Sequence, residues 1–311
     1  MSPDPVLQAI NLSKRFGTRQ AVHELNLTVP RGEVFGFLGP NGAGKSTSIR
    51  MFLSLIAPTG GRVELFGKPL QGNRAELLTR VGGLVERADF YLYLSARRNL
   101  EIIAALTGKA DAKKIDEVLK TVGLLERAAD KVKTYSHGMK QRLGIAQALL
   151  GDPEFIILDE PTTGLDPGGI KEVRELILRL SAERSITVFL SSHLLNEIEQ
   201  TASSMAIINA GKLVVQGKVK ALLEEQEGVV RIDARPVEDV LRLLSEHRMA
   251  ASVTRAGELI EARMSVADVP ALARLLVGAG IEVRALVPRR SLEEYFLSLT
   301  DQAEAPGKGP R

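Results

Sequence analysis

The chain of 311 residues is longer than an ordinary single domain and has about the length of two. Hydrophobic residues make up 44% and charged residues 25%, which is typical of a globular chain with a packed core and excludes a disordered one. The lack of cysteine excludes disulfides, thiolate metal sites and cysteine nucleophiles, and a formal charge of only +3 gives no reason to expect a nucleic-acid partner.

The first predicted elements are short strands, followed by a glycine-rich turn and a helix. β-rich runs at 6–12, 23–29 and 34–38 are bounded by Gly, Pro or charged residues. Residues 46–56 then carry apolar side chains at helical spacing, up to Pro58.

Strands and helices continue to alternate after this helix. Strands are predicted at 62–66 and 81–85, a mostly helical lobe at about 87–150, and a strand buried on both faces at 155–158. A helix at 170–180 and further strands follow. This alternation predicts an α/β fold with a largely parallel sheet covered by helices.

Residues 39–47, called the phosphate loop below, satisfy the pattern G-x-x-x-x-G-K-[ST] between a predicted strand and a predicted helix. Glycines let successive backbone N–H groups curl around phosphate oxygens, and the helix directs its positive end at the same anion. Lys45 is expected to reach the β- and γ-phosphates, Ser46 to bind Mg²⁺ and Thr47 to contact the α-phosphate. The predicted nucleotide-binding residues here are Gly39, Pro40, Asn41, Gly42, Ala43, Gly44, Lys45, Ser46 and Thr47.

Two adjacent carboxylates, Asp159 and Glu160, follow the buried strand 155–158. Carboxylates at such a place are costly unless a metal ion or a hydrogen-bonding network satisfies them. Asp159 is predicted to hold Mg²⁺, and Glu160 to polarise the attacking water as general base. The alternative is a solvated strand end.

Further segments resemble the nucleotide-binding subunits of ABC transporters. Residues 135–142, called the signature segment, resemble the family sequence L-S-G-G-Q, and residues 161–167 follow the strand as the family's D-loop does. His193 follows the next strand, where the family has its catalytic switch histidine. The resemblance covers about residues 5–222 and implies a P-loop ATPase fold of the ABC type, a RecA-like core with a helical lobe.

The resemblance also implies ATP and Mg²⁺ as cofactors and a head-to-tail pair of subunits, either two copies of this chain or this chain with a similar ATPase subunit. Each ATP would lie between the phosphate loop of one protomer and the signature segment of the other, where Ser136 and Gly138 begin a helix. Asp166 of the D-loop would cross this interface. Phe16 stands where the family stacks an aromatic ring on adenine, and the alternative is a partly exposed loop residue.

Two departures from the family pattern concern the site. Glu86 stands where the family usually has a glutamine that senses Mg²⁺ and water, so it is predicted to act in catalysis and to bind Mg²⁺, the alternative being a tolerated, weaker site. In the signature segment His137 and Met139 replace Gly and Gln. Both departures resemble bacterial exporter ATPases linked to peptide-antibiotic and drug export, as do residues 290–300.

The resemblance implies an ATPase subunit that drives an exporter through a separate integral-membrane permease. Residues 87–95, with Phe90, Tyr91 and Tyr93, are predicted to receive a short helix of that permease, unless these rings pack into the chain's own helical lobe. The alternative function is a soluble ABC-type ATPase acting on nucleic acid or the ribosome. A third, a P-loop metabolic kinase, would not explain the signature segment or His193.

The predicted domains are an ATP-binding domain at 1–223, a small accessory domain at 224–300 and a disordered tail at 301–311. The order strand–helix–strand–strand–helix–strand in the accessory domain is typical of a ferredoxin-like α+β fold. Neither a membrane-spanning segment nor a secretory signal is expected. The predicted location is therefore cytoplasmic, peripheral on the inner face of the cell membrane through the permease.

Overall fold

The computed structural model describes residues 5–86, 88–108, 111–224, 228–257, 259–265 and 268–289. The chain divides into two compact units, Met1–Val219 and Lys220–Arg311. Arg87, the segment 290–300 and the tail 301–311, for which predictions were made above, lie outside the described residues. No helix in the described ranges is long and apolar enough to cross a membrane.

The first unit alternates strands and helices. Its elements are β1 (Leu7–Phe16), β2 (Arg19–Val29), β3 (Val34–Leu38), α1 (Lys45–Phe52), β4 (Gly60–Leu65), β5 (Lys68–Pro69), α2 (Leu70–Leu78), β6 (Val81–Leu84), α3 (Ala96–Thr107), α4 (Ala112–Thr121), α5 (His137–Leu149), β7 (Phe155–Leu158), α6 (Pro167–Arg184), β8 (Thr187–Ser192), α7 (Leu195–Thr201), β9 (Ser204–Asn209) and β10 (Lys212–Lys218), followed by α8 (Val219–Glu224).

A six-stranded sheet runs through this unit in the order β10-β9-β3-β8-β7-β6. Its strands pair in parallel from β9 to β6, and only β10 is antiparallel to its neighbour. Every residue of β3, β7 and β8 is buried, as expected for strands covered on both faces. The prediction of a largely parallel α/β sheet is confirmed.

A second, antiparallel sheet in the order β2-β1-β4-β5 packs with α1 and the larger sheet into one hydrophobic core. Phe189 lies at the centre of an aromatic cluster in this core. Its ring centroid lies 5.7 Å from that of Phe35, 5.3 Å from that of Phe37 and 5.8 Å from that of Phe52. Buried rings of this size contribute much of a core's stability, so the cluster holds α1 against β3 and β8.

The first strand and the first helix differ in length from their predictions. The first strand continues beyond Leu12 to Phe16, because backbone pairing with β2 runs on through a polar stretch that lacks an alternating pattern. The helix predicted at 46–56 ends at Phe52, and Ser54 then takes a positive φ of 55° that no helix continues through.

The helical lobe contains α3, α4 and α5. Each helix begins after a residue whose side chain accepts the backbone N–H three positions later, namely Ser95, Asp111 and Ser136. Such N-caps satisfy one of the unpaired donors of the first turn. The start of each helix is therefore determined locally by its sequence.

The second unit contains β11 (Gly228–Arg235), α9 (Val237–Glu246), β12 (Ser252–Ala256), β13 (Leu259–Met264), α10 (Val269–Gly278) and β14 (Glu282–Arg289). Its antiparallel sheet has the order β12-β13-β11-β14. Alternate residues of β11 and β13 are buried with the inner faces of both helices in a separate hydrophobic cluster. This is the predicted ferredoxin-like arrangement.

Candidate active site

A cleft of about 330 Å³ lies beside the phosphate loop. Its lining comes from the hairpin of β1 and β2, from the phosphate loop with the start of α1, and from the end of β7. The lining residues are Phe16, Arg19, Ala21, Asn41, Gly42, Gly44, Lys45, Ser46, Thr47 and Glu160. Most of the residues predicted to bind nucleotide therefore meet at one cleft, and Arg19 and Ala21 join them from the hairpin without any signal in the sequence.

The phosphate loop has the backbone conformation that its glycines allow. Gly42 has a φ of 81° and Gly44 a φ of 106°, both in the region that disfavours other residues. A side chain at Gly44 would also meet the backbone oxygen of Ala21 at 2.6 Å. Directly after Gly44, α1 begins with no acidic residue in its first turn, so its positive end is free to attract an anion.

Lys45 is almost completely buried at the start of α1, with 5% of its surface exposed. Its Nζ donates hydrogen bonds to the backbone oxygens of Gly39 at 2.6 Å and Pro40 at 3.2 Å. These bonds bring the two ends of the loop together and hold a positive charge under it.

Asp159 and Glu160 are both held by Ser191, the neighbouring residue on β8. The Ser191 hydroxyl donates to Oδ1 of Asp159 at 2.6 Å and accepts the backbone N–H of Glu160 at 2.9 Å. Asp159 is buried, with 4% of its surface exposed. The hydrogen-bonding network that two adjacent carboxylates require is thus supplied in part by Ser191, which sequence reasoning did not single out.

Glu160 is contacted from three directions. Its Oε1 lies 3.3 Å from Nζ of Lys45. Its Oε2 accepts a hydrogen bond from Oγ1 of Thr163 at 2.9 Å and lies 3.1 Å from Nδ1 of His193. Burial by itself would raise the pKa of Glu160, but the Thr163 hydrogen bond and the charges of Lys45 and His193 outweigh it and lower the pKa below its ordinary value.

Phe16 lies at the rim of the cleft, where the sequence predicted an adenine-stacking ring. Half of its surface is exposed. Nζ of Lys14 lies 5.1 Å from the ring centroid, within the range of a cation–π contact.

The structure places Glu86 away from the lining of the cleft. It follows β6 with a positive φ of 62°, and its carboxylate forms an ion pair with Arg50 of α1. More than half of the Glu86 side chain is exposed. The metal and catalytic role of Glu86 stays a prediction, and in this arrangement Arg50 pairs with its carboxylate.

The signature segment and Asp166 also lie outside the lining of the cleft of their own chain. Ser136 caps α5, and a side chain at Gly138 would come within 3.7 Å of Gly169 in α6. His137 lies close to Gly164 of the D-loop. These residues therefore form a separate surface where the starts of α5 and α6 meet.

Residues 22–163 match the model of a family described as ABC transporter. The chain is 42% identical over 296 residues to the bacitracin transport ATP-binding protein of Bacillus licheniformis, covering 94% of this chain and 97% of that one. It is 38% identical over 211 residues to a lantibiotic transport ATP-binding protein of Streptococcus pyogenes, covering 68% and 90%. A solved dimeric ATP-binding cassette, bound to ADP and Pi after hydrolysis, shares 25% identity at a TM-score of 0.61 and covers 68% of this chain and 98% of its own.

The fold and the cleft define a P-loop ATPase. The chain belongs to the ABC transporter family, and it is an ATP-binding, ATP-hydrolysing subunit. The resemblance, the ABC ATPase fold and the enzyme class predicted from the sequence are confirmed. These relatives do not favour the alternative of an ATPase acting on nucleic acid or the ribosome.

Proposed function

We propose that this chain drives a peptide-antibiotic exporter by hydrolysing ATP between two facing subunits. The resulting conformational change would be transmitted to a separate integral-membrane permease. The single observation that carries the hydrolytic part is Glu160, held at the cleft between Lys45 and His193. The cargo class is supported by relatives whose names specify bacitracin and lantibiotic transport.

ATP would lie in the cleft with its phosphates on the phosphate loop. The N–H groups at the start of α1 and the Lys45 ammonium would neutralise the β- and γ-phosphates, and Thr47 would contact the α-phosphate. The half-exposed Phe16 ring offers its face to adenine, with Arg19 beside it in the cleft lining.

Ser46 and Asp159 are the residues proposed to hold Mg²⁺. A hydroxyl and a carboxylate are the oxygen donors this cation prefers, and burial of Asp159 is costly without a compensating charge. Mg²⁺ supplies neutralisation of the phosphate charge when bound. Glu86 could join this site only after its ion pair with Arg50 opens.

Glu160 is proposed to take a proton from the attacking water. Its lowered pKa means that the carboxylate is ionised at neutral pH and can accept that proton. His193 would orient the carboxylate through Oε2, and Lys45 would stabilise the charge that develops on the phosphate oxygens.

A pair of subunits would complete the site. Ser136, Gly138 and Asp166 do not line the cleft of their own chain. The start of α5 offers backbone N–H groups to an anion, as the family arrangement requires of the facing subunit. The likeness to a dimeric ATP-binding cassette supports this arrangement.

The proposed permease contact is the loop that includes Tyr91, Leu92 and Tyr93, whose exposed fractions are 66%, 45% and 76%. The buried side chain of Asn99 holds this loop, accepting the Tyr91 N–H at 2.8 Å and donating to the Tyr91 oxygen at 3.2 Å. Tyr91 and Tyr93 are thus mostly exposed, although Nζ of Lys133 lies 5.4 Å from the centroid of the Tyr93 ring, whereas Phe90 is half-buried. An apolar patch on a rigid loop suits a short partner helix, which would hold the chain at the inner face of the membrane.

The division of labour between the two units is also proposed. Residues 1–223 would bind and hydrolyse ATP, and residues 224–300 would form an accessory domain. The observed separate hydrophobic cores support such a division.

The proposal is tested with Glu160→Gln in the full chain. The variant is expected to bind ATP, to stop turning over and to accumulate as a dimer in size-exclusion chromatography with ATP, because amide replaces the proton-accepting carboxylate. Glu175→Gln, on the exposed face of α6, is the matched control and should hydrolyse ATP normally. Unchanged turnover of Glu160→Gln would refute the assigned role.

A further inference from the structure

Glu197, on α7, joins two segments of the site that lie far apart in the sequence. Its Oε2 accepts hydrogen bonds from Oγ1 of Thr162 at 2.6 Å and from Oγ of Ser192 at 2.8 Å. Thr162 and Ser192 are buried, with 8% and 2% of their surfaces exposed. One carboxylate oxygen therefore connects the D-loop to the end of β8.

The next residue in each of these segments contacts Glu160. Thr163 and His193 meet Oε2 of Glu160 at 2.9 and 3.1 Å. The carboxylates of Glu197 and Glu160 thus bridge the same two segments, and their partners are adjacent residues in each segment. The bridge at Glu160 contains the proposed base, and the bridge at Glu197 joins the residue that precedes each of its two partners.

The Glu197 bridge also reaches the residues on both sides of His193 in the sequence. The hydroxyl of Ser192, while donating to Glu197, accepts the backbone N–H of Leu194 at 2.9 Å. The residues before and after His193 are therefore held by one hydroxyl, and that hydroxyl is oriented by Glu197. Oγ of Ser192 also lies 3.2 Å from the backbone oxygen of Leu194, so this hydroxyl couples Glu197 to the backbone on both sides of the histidine.

The helix that carries Glu197 is fixed to the central sheet. Ile198 is fully buried and packs on β3 at Gly36, where any side chain would meet it at 2.5 Å. Because β3 leads into the phosphate loop, Glu197 holds the D-loop and the His193 segment at a fixed position relative to that loop.

We infer that Glu197 is a positioning residue for ATP hydrolysis, which keeps His193 and the D-loop in register with Glu160. The inference rests on the proposed role of Glu160. Hydrogen bonds to a carboxylate are shorter and stronger than those between neutral groups. Removing the Glu197 carboxylate takes this acceptor away from the buried hydroxyls of Thr162 and Ser192. Glu197 itself is not among the residues that line the cleft.

The test compares kcat and KM for ATP in the full chain. Glu197→Ala should lower kcat about tenfold and leave KM within about twofold, since ground-state binding is retained while the transition-state arrangement is lost. Glu197→Gln should restore most of kcat, because the amide oxygen can accept both hydroxyls. Asn196→Ala, the preceding and exposed residue of α7, is the matched control and should behave as wild type.

Thr162→Val removes one donor while keeping the shape of the side chain. Alone it should lower kcat about threefold. Added to Glu197→Ala it should lower kcat no further, because both substitutions break the same hydrogen bond between Thr162 and Glu197. If Glu197→Ala does not fold, the kcat values of Thr162→Val and Ser192→Ala test the inference instead. Wild-type kcat in both of these variants would overturn it.

Other outcomes that would overturn it are wild-type kcat in Glu197→Ala, equal impairment of Glu197→Gln and Glu197→Ala, or an equal loss in Asn196→Ala. Each of these leaves the role of Glu160 intact if Glu160→Gln remains inactive. Full turnover by Glu160→Gln would instead refute the proposed function on which the inference rests.

Discussion

At Glu160, burial and the neighbouring groups act on the pKa in opposite directions. Burial raises the pKa, whereas the Thr163 hydrogen bond and the charges of Lys45 and His193 lower it, and the net shift is downward. A carboxyl whose pKa is lower in the folded chain adds stability above its unfolded pKa and loses that contribution as pH falls through the folded pKa. The same shift that prepares the base therefore stabilises the fold at neutral pH.

This sign gives a measurable difference between wild type and Glu160→Gln. As pH falls from neutral to below 4.5, wild type should lose more free energy of unfolding than the variant, whose amide does not titrate. Urea denaturation at a series of pH values measures the free energy of unfolding of both chains. Parallel pH profiles for the two chains would contradict the assigned ionisation of Glu160.

Lys45 is the residue on which phosphate affinity should depend most strongly. Lys45→Ala removes the buried ammonium from the phosphate loop and should weaken ATP binding about a hundredfold, so that none is detected at micromolar nucleotide. Isothermal titration calorimetry measures the affinity, with the exposed Lys171→Ala as control. Retained affinity in Lys45→Ala would count against the phosphate site.

Glu86→Gln tests whether the departure from the family glutamine matters. The change removes the ion pair with Arg50 without altering the length of the side chain, so ATP affinity should stay within about twofold while hydrolysis or its coupling to transport changes. Arg50→Ala removes the same ion pair but keeps the Glu86 carboxylate. Comparing the two variants therefore separates the effect of losing the ion pair from the effect of losing the carboxylate. Wild-type kinetics and transport in Glu86→Gln would show that the position is neutral.

At the scale of elements, the close contact of α7 with β3 orients the site. Gly36 lies in a fully buried strand, and Ile198 occupies the space that a side chain would need. The N-caps of α3, α4 and α5 determine where those helices begin, but they do not determine what the helices pack against. The packing distance between α7 and β3 therefore depends on a glycine rather than on a cap.

Gly36→Ala should destabilise the first unit by about 1–3 kcal/mol, because overpacking a buried contact forces neighbouring atoms to shift. The matched control is Gly60→Ala in β4, where the nearest atom lies 3.6 Å away and a small effect is expected. Chemical denaturation of both variants measures the difference. Equal stability of the two would show that α7 moves to accommodate a methyl group at little cost.

At the scale of the whole molecule, the cleft and the signature segment lie apart within one chain. If the facing subunit completes the site, ATPase activity per chain should rise with protein concentration until the pair is saturated and then become constant. Steady-state phosphate release over a wide dilution series measures this. A constant activity per chain at concentrations where light scattering shows only monomers would contradict the paired site.

Local features of the sequence determined much of this protein. The phosphate loop, the adjacent carboxylates Asp159 and Glu160, and the alternation of strands with helices each depend on neighbouring residues, and the structure has them where they were predicted. The strand–helix order of the accessory unit was equally readable, since its periodicity changes from two to 3.6 between elements.

Only the tertiary structure decided which side chains meet. Parallel pairing of β7 with β8 places Leu158 opposite Leu190, and this register brings Ser191 to Asp159 and His193 to Glu160. The ion pair of Glu86 and the bridge at Glu197 depend in the same way on strands and helices that are distant in the chain. Such contacts arise from sheet register and helix packing, which no local pattern specifies.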